Sequence, residues 1–102
     1  MERIDLIPPG EILLVEFMEP NGVSQTKLAG DLDIPQSRIA DIIKGKRGIT
    51  VDTALRLSVY FSTSINFWLN LQNNYDIEKV ERSGELDVIV SRIRQNSNVT
   101  HA

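Results

Sequence analysis

The sequence of 102 residues contains no cysteine and a single histidine, His101. Without thiolates, neither a disulfide framework nor a cysteine-ligated metal site can form, and one histidine next to the end cannot make a site by itself. Such usage is what a cytoplasmic protein shows. Long hydrophobic runs are missing too. No stretch approaches the roughly 18 apolar residues a bilayer span requires, and Arg3 is not followed by the apolar segment of a secretory leader. No membrane partner is expected. Also absent are strand-type alternation, internal repeats and low-complexity tracts. No nucleophile–base pair, phosphate loop or cofactor motif occurs. The acids between Asp76 and Asp87 come close together but without a pocket or a substrate-binding frame around them. They read as a solvated helix face, on which "EKVER" allows i,i+3 and i,i+4 pairing. The sequence therefore predicts no enzyme, no cofactor and no small-molecule ligand.

What remains is helix. A chain of this length suits one domain with a modest core, and its apolar residues recur at helical spacing between turn signals. Pro8-Pro9-Gly10 leads into "EILLVEFME", with Ile12, Leu13 and Phe17 on one face. Ser24 is a good N-cap, and Val23 before it can meet Leu28 as a hydrophobic staple. That second helix is about two turns long, buries Leu28, Ala29 and Leu32, and stops near Asp33. Pro35 suits the first turn of a third helix, whose stripe is Ile39, Ile42 and Ile43 and whose end is Gly45. Thr50 caps a fourth helix with Ala54, Leu57 and Phe61 inward. Ser64 caps a fifth, with Phe67, Trp68, Leu71 and Tyr75 spaced to pack rather than to stack on bases. Beyond Gly84, Leu86, Ile89, Val90 and Ile93 form one stripe, followed by a frayed tail from Ser97. The expected fold is all-α, with six short helices.

Charge is unevenly placed. The chain carries a net charge of −3. Residues 24–50, however, hold Lys27, Arg38, Lys44, Lys46 and Arg47 against Asp31, Asp33 and Asp41, a balance of +2. The rest has six bases against eleven acids, a balance of −5. Because charge acts locally, one segment can face a polyanion while the remainder repels it.

In that segment two short helices are separated by the turn "LDI". This is the helix-turn-helix arrangement, which lays its second helix in the DNA major groove. The middle residue of such a turn takes a left-handed backbone. Glycine is the common solution, and Asp33 is tolerated there because its side chain is short and polar. On the third helix, the sides its isoleucines leave free carry Gln36, Ser37 and Asp41, with Arg38 at the shoulder. Gln pairs with adenine, Arg with guanine, Ser with several base edges, and an acid accepts from cytosine. "KGKRGIT" sets Lys44, Lys46 and Arg47 just beyond, where charges meet phosphates. Gln25 and Thr26, in the first turn of the second helix, can also donate to a phosphate. The predicted partner is double-stranded operator DNA.

With these motifs in view, residues 8–77 resemble the HigA-type antitoxins, also called the virulence-associated protein I family, within the Cro/C1-type helix-turn-helix group. "GKRGIT", "DTALRL" and "FWLNLQ" carry the likeness. The sequence departs from it at Pro8, where relatives often have histidine, at Asp33 (often glycine), and at Ile65-Asn66 (often Pro-Glu). The resemblance implies a five-helix, lambda repressor-like domain with an added C-terminal helix. It also implies a homodimer that represses its own operon and neutralises a HigB-type, mRNA-cleaving toxin. Expected boundaries are residues 1–82 for the DNA-binding domain and 83–102 for the C-terminal helix and tail. Two other readings stand beside this one: a stand-alone regulator without a toxin, and a protein-interaction module that never touches DNA. For the stripe after Gly84, the core, a dimer interface and the toxin are all open.

Overall fold

A computed structural model describes residues 6–94 and residue 96. Arg3, His101 and the tail from Ser97 onward lie outside the described residues. Every regular element among those described is helical, as the apolar spacing predicts. Helix α1 opens as an α-turn, Pro9–Ile12, with Pro9 at a position whose N–H would go unpaired in any case. It continues as a π-helical stretch, Leu13–Met18, so Glu19 N–H donates to Leu14 O at 2.9 Å, five residues back. That wider turn brings residues five apart onto one side. Leu13 and Met18 are thus the fully buried pair, while Ile12 and Phe17 are half-buried. An α-helical count finds Leu13 and Phe17, which packs against the core, but misses Met18.

The remaining helices are α2 (Gln25–Leu32), α3 (Gln36–Ile43), α4 (Val51–Phe61), α5 (Ile65–Ser83) and α6 (Glu85–Arg92). Helices α1 to α4 each contribute two or more residues to a single core. Beside Leu13 and Met18 of α1, Leu28, Ala29 and Leu32 come from α2, Ile39 and Ile42 from α3, Ala54 and Leu57 from α4. From α5 comes Trp68, fully enclosed, its indole N–H donating to Thr63 Oγ1 at 2.7 Å. Phe17, Phe61 and Phe67 surround that ring at centroid distances of 4.8, 6.3 and 5.0 Å. Fully burying one such large apolar side chain is worth about 1.5–3 kcal/mol, so this cluster holds the base of α5 against α1 and α4.

One expectation needs correction. Not every helix is short: α5 has 19 residues and runs on past the core, which only Trp68 among its residues enters fully. Of the three readings open for the stripe after Gly84, burial in this chain's own core is not what the structure has, since no residue of α6 is buried. Gly84, at φ 82°, turns the chain between the two helices, and α6 then touches α5 with its apolar residues uncovered.

Candidate nucleic-acid interface

The turn between α2 and α3 is fixed by backbone bonding. Ser24 caps α2 by accepting from Lys27 N–H at 3.0 Å. At the other end Asp33 sits at φ 57°, ψ 49°, and Ile34 N–H reaches back to Ala29 O at 3.0 Å. This left-handed cap with a bond across five residues reverses the chain tightly. Pro35 lies just outside α3, as its extended N-cap, rather than in the first turn. Its carbonyl accepts from Arg38 N–H at 3.0 Å. Ile39 and Ile42 are buried and Ile43 half-buried, so the opposite side of α3 is turned outward.

Behind α3 two contacts fix its seat. Gly10 is buried, and a Cβ there would stand 1.9 Å from Ile42 O. The start of α1 therefore meets the end of α3 backbone to backbone. After α3, Gly45 turns at φ +78°, and Asp41 O accepts from Lys46 N–H at 2.8 Å and Arg47 N–H at 3.2 Å. Ile49 N–H then donates to Gln72 Oε1 at 2.8 Å, and Gln72 Nε2 donates to Asp76 Oδ1 at 2.9 Å. The basic loop is closed by its own backbone and tethered to α5.

The sequence-predicted residues fall into three groups on this frame, with Asp41 apart from them. Gln36, Ser37 and Arg38 form the first turn of α3. Gln36 and Ser37 are exposed, and their side chains make no hydrogen bond among the described residues. Lys44, Lys46 and Arg47 are exposed in the loop beyond α3, their side chains likewise without an ion pair among the described residues. Gln25 is half-buried and Thr26 exposed in the first turn of α2. Asp41 is half-buried, and its carbonyl orders the basic loop.

Arg38 has a partner that the sequence reading did not supply. Its Nη1 donates to Asp52 Oδ2 at 2.9 Å, and the same oxygen accepts from Arg56 Nε at 3.1 Å. Arg56 Nη1 also donates to Leu32 O at 2.7 Å, at the end of α2. One carboxylate on α4 thus links α2 and α3. The guanidinium of Arg56, then that of Arg38, holds Asp52 below the usual carboxylate range against an opposing effect of burial. A second tie joins α4 to α2: Tyr60 Oη donates to Asp31 Oδ2 at 2.7 Å, and Lys27 pairs with that oxygen at 3.1 Å. Tyr60 and Lys27 hold Asp31 low, and Asp31 in turn raises both of them. The i,i+4 spacing of Asp52 and Arg56 is visible in the sequence. The Arg38–Asp52 contact spans 14 residues and leaves no local signal.

Among the described residues no cluster of acids or histidines could hold a metal ion, and no helix is long and apolar enough to cross a membrane. The helix-turn-helix family pattern matches residues 14–68. A virulence-associated protein I from Dichelobacter nodosus is 42% identical over 94 residues, covering 91% of this chain and 87% of that protein. A solved structure from Coxiella burnetii, described as an addiction module antidote protein of a HigA family, superimposes with a TM-score of 0.79 at 40% identity, over 91% of this chain and 100% of that one. The antitoxin HigA of Pseudomonas aeruginosa, solved with the higBA promoter, gives a TM-score of 0.80 at 37% identity, over 88% of this chain and 97% of that one.

Proposed function

The chain belongs to the HigA and virulence-associated protein I family of helix-turn-helix proteins, and from that premise we propose that it is an operator-binding repressor acting as an antitoxin. One observation carries the DNA-binding half: a reading turn (Gln36, Ser37, Arg38) and an unpaired basic loop (Lys44, Lys46, Arg47) stand side by side on one short, rigidly seated unit. Gln36 and Arg38 offer donors to base edges, and Ser37 bonds either an edge or a neighbouring phosphate. Asp41 accepts from a cytosine amino group where one faces it and repels phosphate elsewhere. The loop lysines and arginine, with Gln25 and Thr26, contact phosphate and set the register. The same charges disfavour the protein-only reading, because a docking module has no need of three uncompensated cations beside a groove-sized helix.

The protein works as a homodimer, since one helix-turn-helix reads too few base pairs and two half-sites lie about one DNA turn, roughly 34 Å, apart. Residues 1–82 form the DNA-binding domain, and α6 with the end of α5 supplies the surface for the second copy. Leu86, Ile89, Val90 and Ile93 support this assignment, being 42%, 48%, 60% and 65% exposed in the single chain. An isolated helix of eight residues is marginal in water, so cover from another chain is expected. The co-encoded partner is a HigB-type toxin. Its inhibition requires binding only, and the protein is a cytoplasmic regulator, not an enzyme.

The phosphate-contact reading is tested with the Lys44→Ala, Lys46→Ala, Arg47→Ala triple variant. Binding should weaken for every duplex alike, and the log–log salt slope should flatten by about 0.9 for each phosphate that is no longer neutralised. An unchanged slope contradicts it. For the antitoxin half, the toxin reading frame beside this chain's gene should arrest growth when expressed alone and not when this chain is expressed with it.

A further inference from the structure

Among the described residues, Arg38 is the one base-reading candidate whose side chain is already bonded in the free protein. Its Nη1 is taken by Asp52, while Nε and Nη2 make no hydrogen bond among the described residues. Those two donors form the side-on edge of the guanidinium, a pair that can bond O6 and N7 of guanine together. Asp52 is itself held, by Arg56, which is anchored to the Leu32 carbonyl. The chain of contacts runs from the rigid end of α2, through α4, to a side chain on the reading turn of α3. A free arginine has several rotatable bonds and spends entropy to adopt one geometry. An arginine held at Nη1 samples fewer orientations, and its Nε–Nη2 edge stays free to bond.

We infer that Asp52 is a specificity-determining positioning residue: from α4, it aims the Nε–Nη2 edge of Arg38 at a guanine without touching DNA itself. The inference rests on the proposed reading that the first turn of α3 enters the major groove. It has a further consequence. Asp52 is an acid close to a polyanion, so it disfavours DNA in general. That repulsion falls on right and wrong sequences alike, so it lowers affinity overall, and the discrimination comes from the aimed edge of Arg38.

The test uses a duplex selected by the wild-type protein from a random-sequence library, with all its single base-pair variants, and the full-length chain. Arg38→Ala first identifies the base pair that Arg38 reads. Asp52→Asn, close to isosteric and on the surface, should then lower discrimination at that base pair by about tenfold. Other positions should be unaffected, and affinity for an unselected duplex unchanged or tighter. In the Arg38→Ala background, Asp52→Asn should have no further effect at that position. Asp52→Glu, which keeps the charge, should recover part of the discrimination. A purely structural Asp52 would lower affinity for all duplexes together and leave the discrimination at that base pair unchanged, and that result overturns the inference. It is overturned equally if Asp52→Asn leaves the discrimination intact in a protein that selects a duplex. If the wild-type protein selects no duplex at all, the operator-binding reading fails first, and this inference falls with it.

Discussion

At the residue scale, the most demanding position is Gly10. Its missing Cβ lets α1 close onto the Ile42 carbonyl, so even a methyl group needs a backbone shift. Gly10→Ala should destabilise the fold by about 1–3 kcal/mol, the usual cost of overpacking, and should displace the end of α3 along with the basic loop. Denaturant melts will show the first effect and operator affinity the second. If Gly10→Ala melts like the wild type, α1 does not seat α3. Asp33 behaves differently. Its left-handed backbone is legible in the sequence, because a tight turn between two short helices demands it and a short polar side chain tolerates it. The requirement at Gly10 is not legible, because nothing near it in the chain marks the approach to a carbonyl on another helix.

At the element scale, α4 acts as a brace across the helix-turn-helix, bonded to α3 through Asp52 and to α2 through Arg56 and Tyr60. Both brace carboxylates, Asp52 and Asp31, are held low by their partners. A group whose folded value is depressed contributes stability above its unfolded value, near 3.9 for Asp, and loses it as pH falls through the folded one. The melting temperature should therefore change little from these groups between neutrality and about pH 5, then fall as the pH drops below about 4. An Asp31→Asn, Asp52→Asn double variant should lose less on acidification than the wild type. Equal losses would mean that the brace adds nothing. Helical stripes reveal α2, α3 and α4, as the burial of Leu28, Ile39 and Leu57 shows, because an amphipathic face is encoded at fixed spacing. The stripe in α1 is legible only in part: Leu13 is found, but the spacing assumes an α-helix and the π-turn moves Met18 inward. The brace itself is hidden, since it joins residues far apart in the chain.

At the scale of the whole molecule, the acidic chain shows a basic edge and leaves apolar surface at its far end. Two copies should associate through α6. Light scattering should give a dimer at tens of micromolar, and Ile89→Glu, at a position outside the buried core, should shift it toward monomer without loss of helical content. A monomeric wild type that binds a lone half-site would contradict this assembly. The stripe itself is plain in the sequence, but what covers it is not, since apolar spacing looks the same on a core face and on an interface. Its placement outside the core comes only from the structure. The central claim is that the first turn of α3 reads DNA sequence, and the measurement closest to it is a binding series for Gln36→Ala over operators varied one base pair at a time. Because the Gln36 side chain is exposed and bonded to nothing among the described residues, its removal should leave fold and dimer intact. It should cost on the order of 1–3 kcal/mol at one operator position and spare non-specific affinity. An equal loss on every operator would make Gln36 a backbone contact and contradict the claim as it concerns this residue.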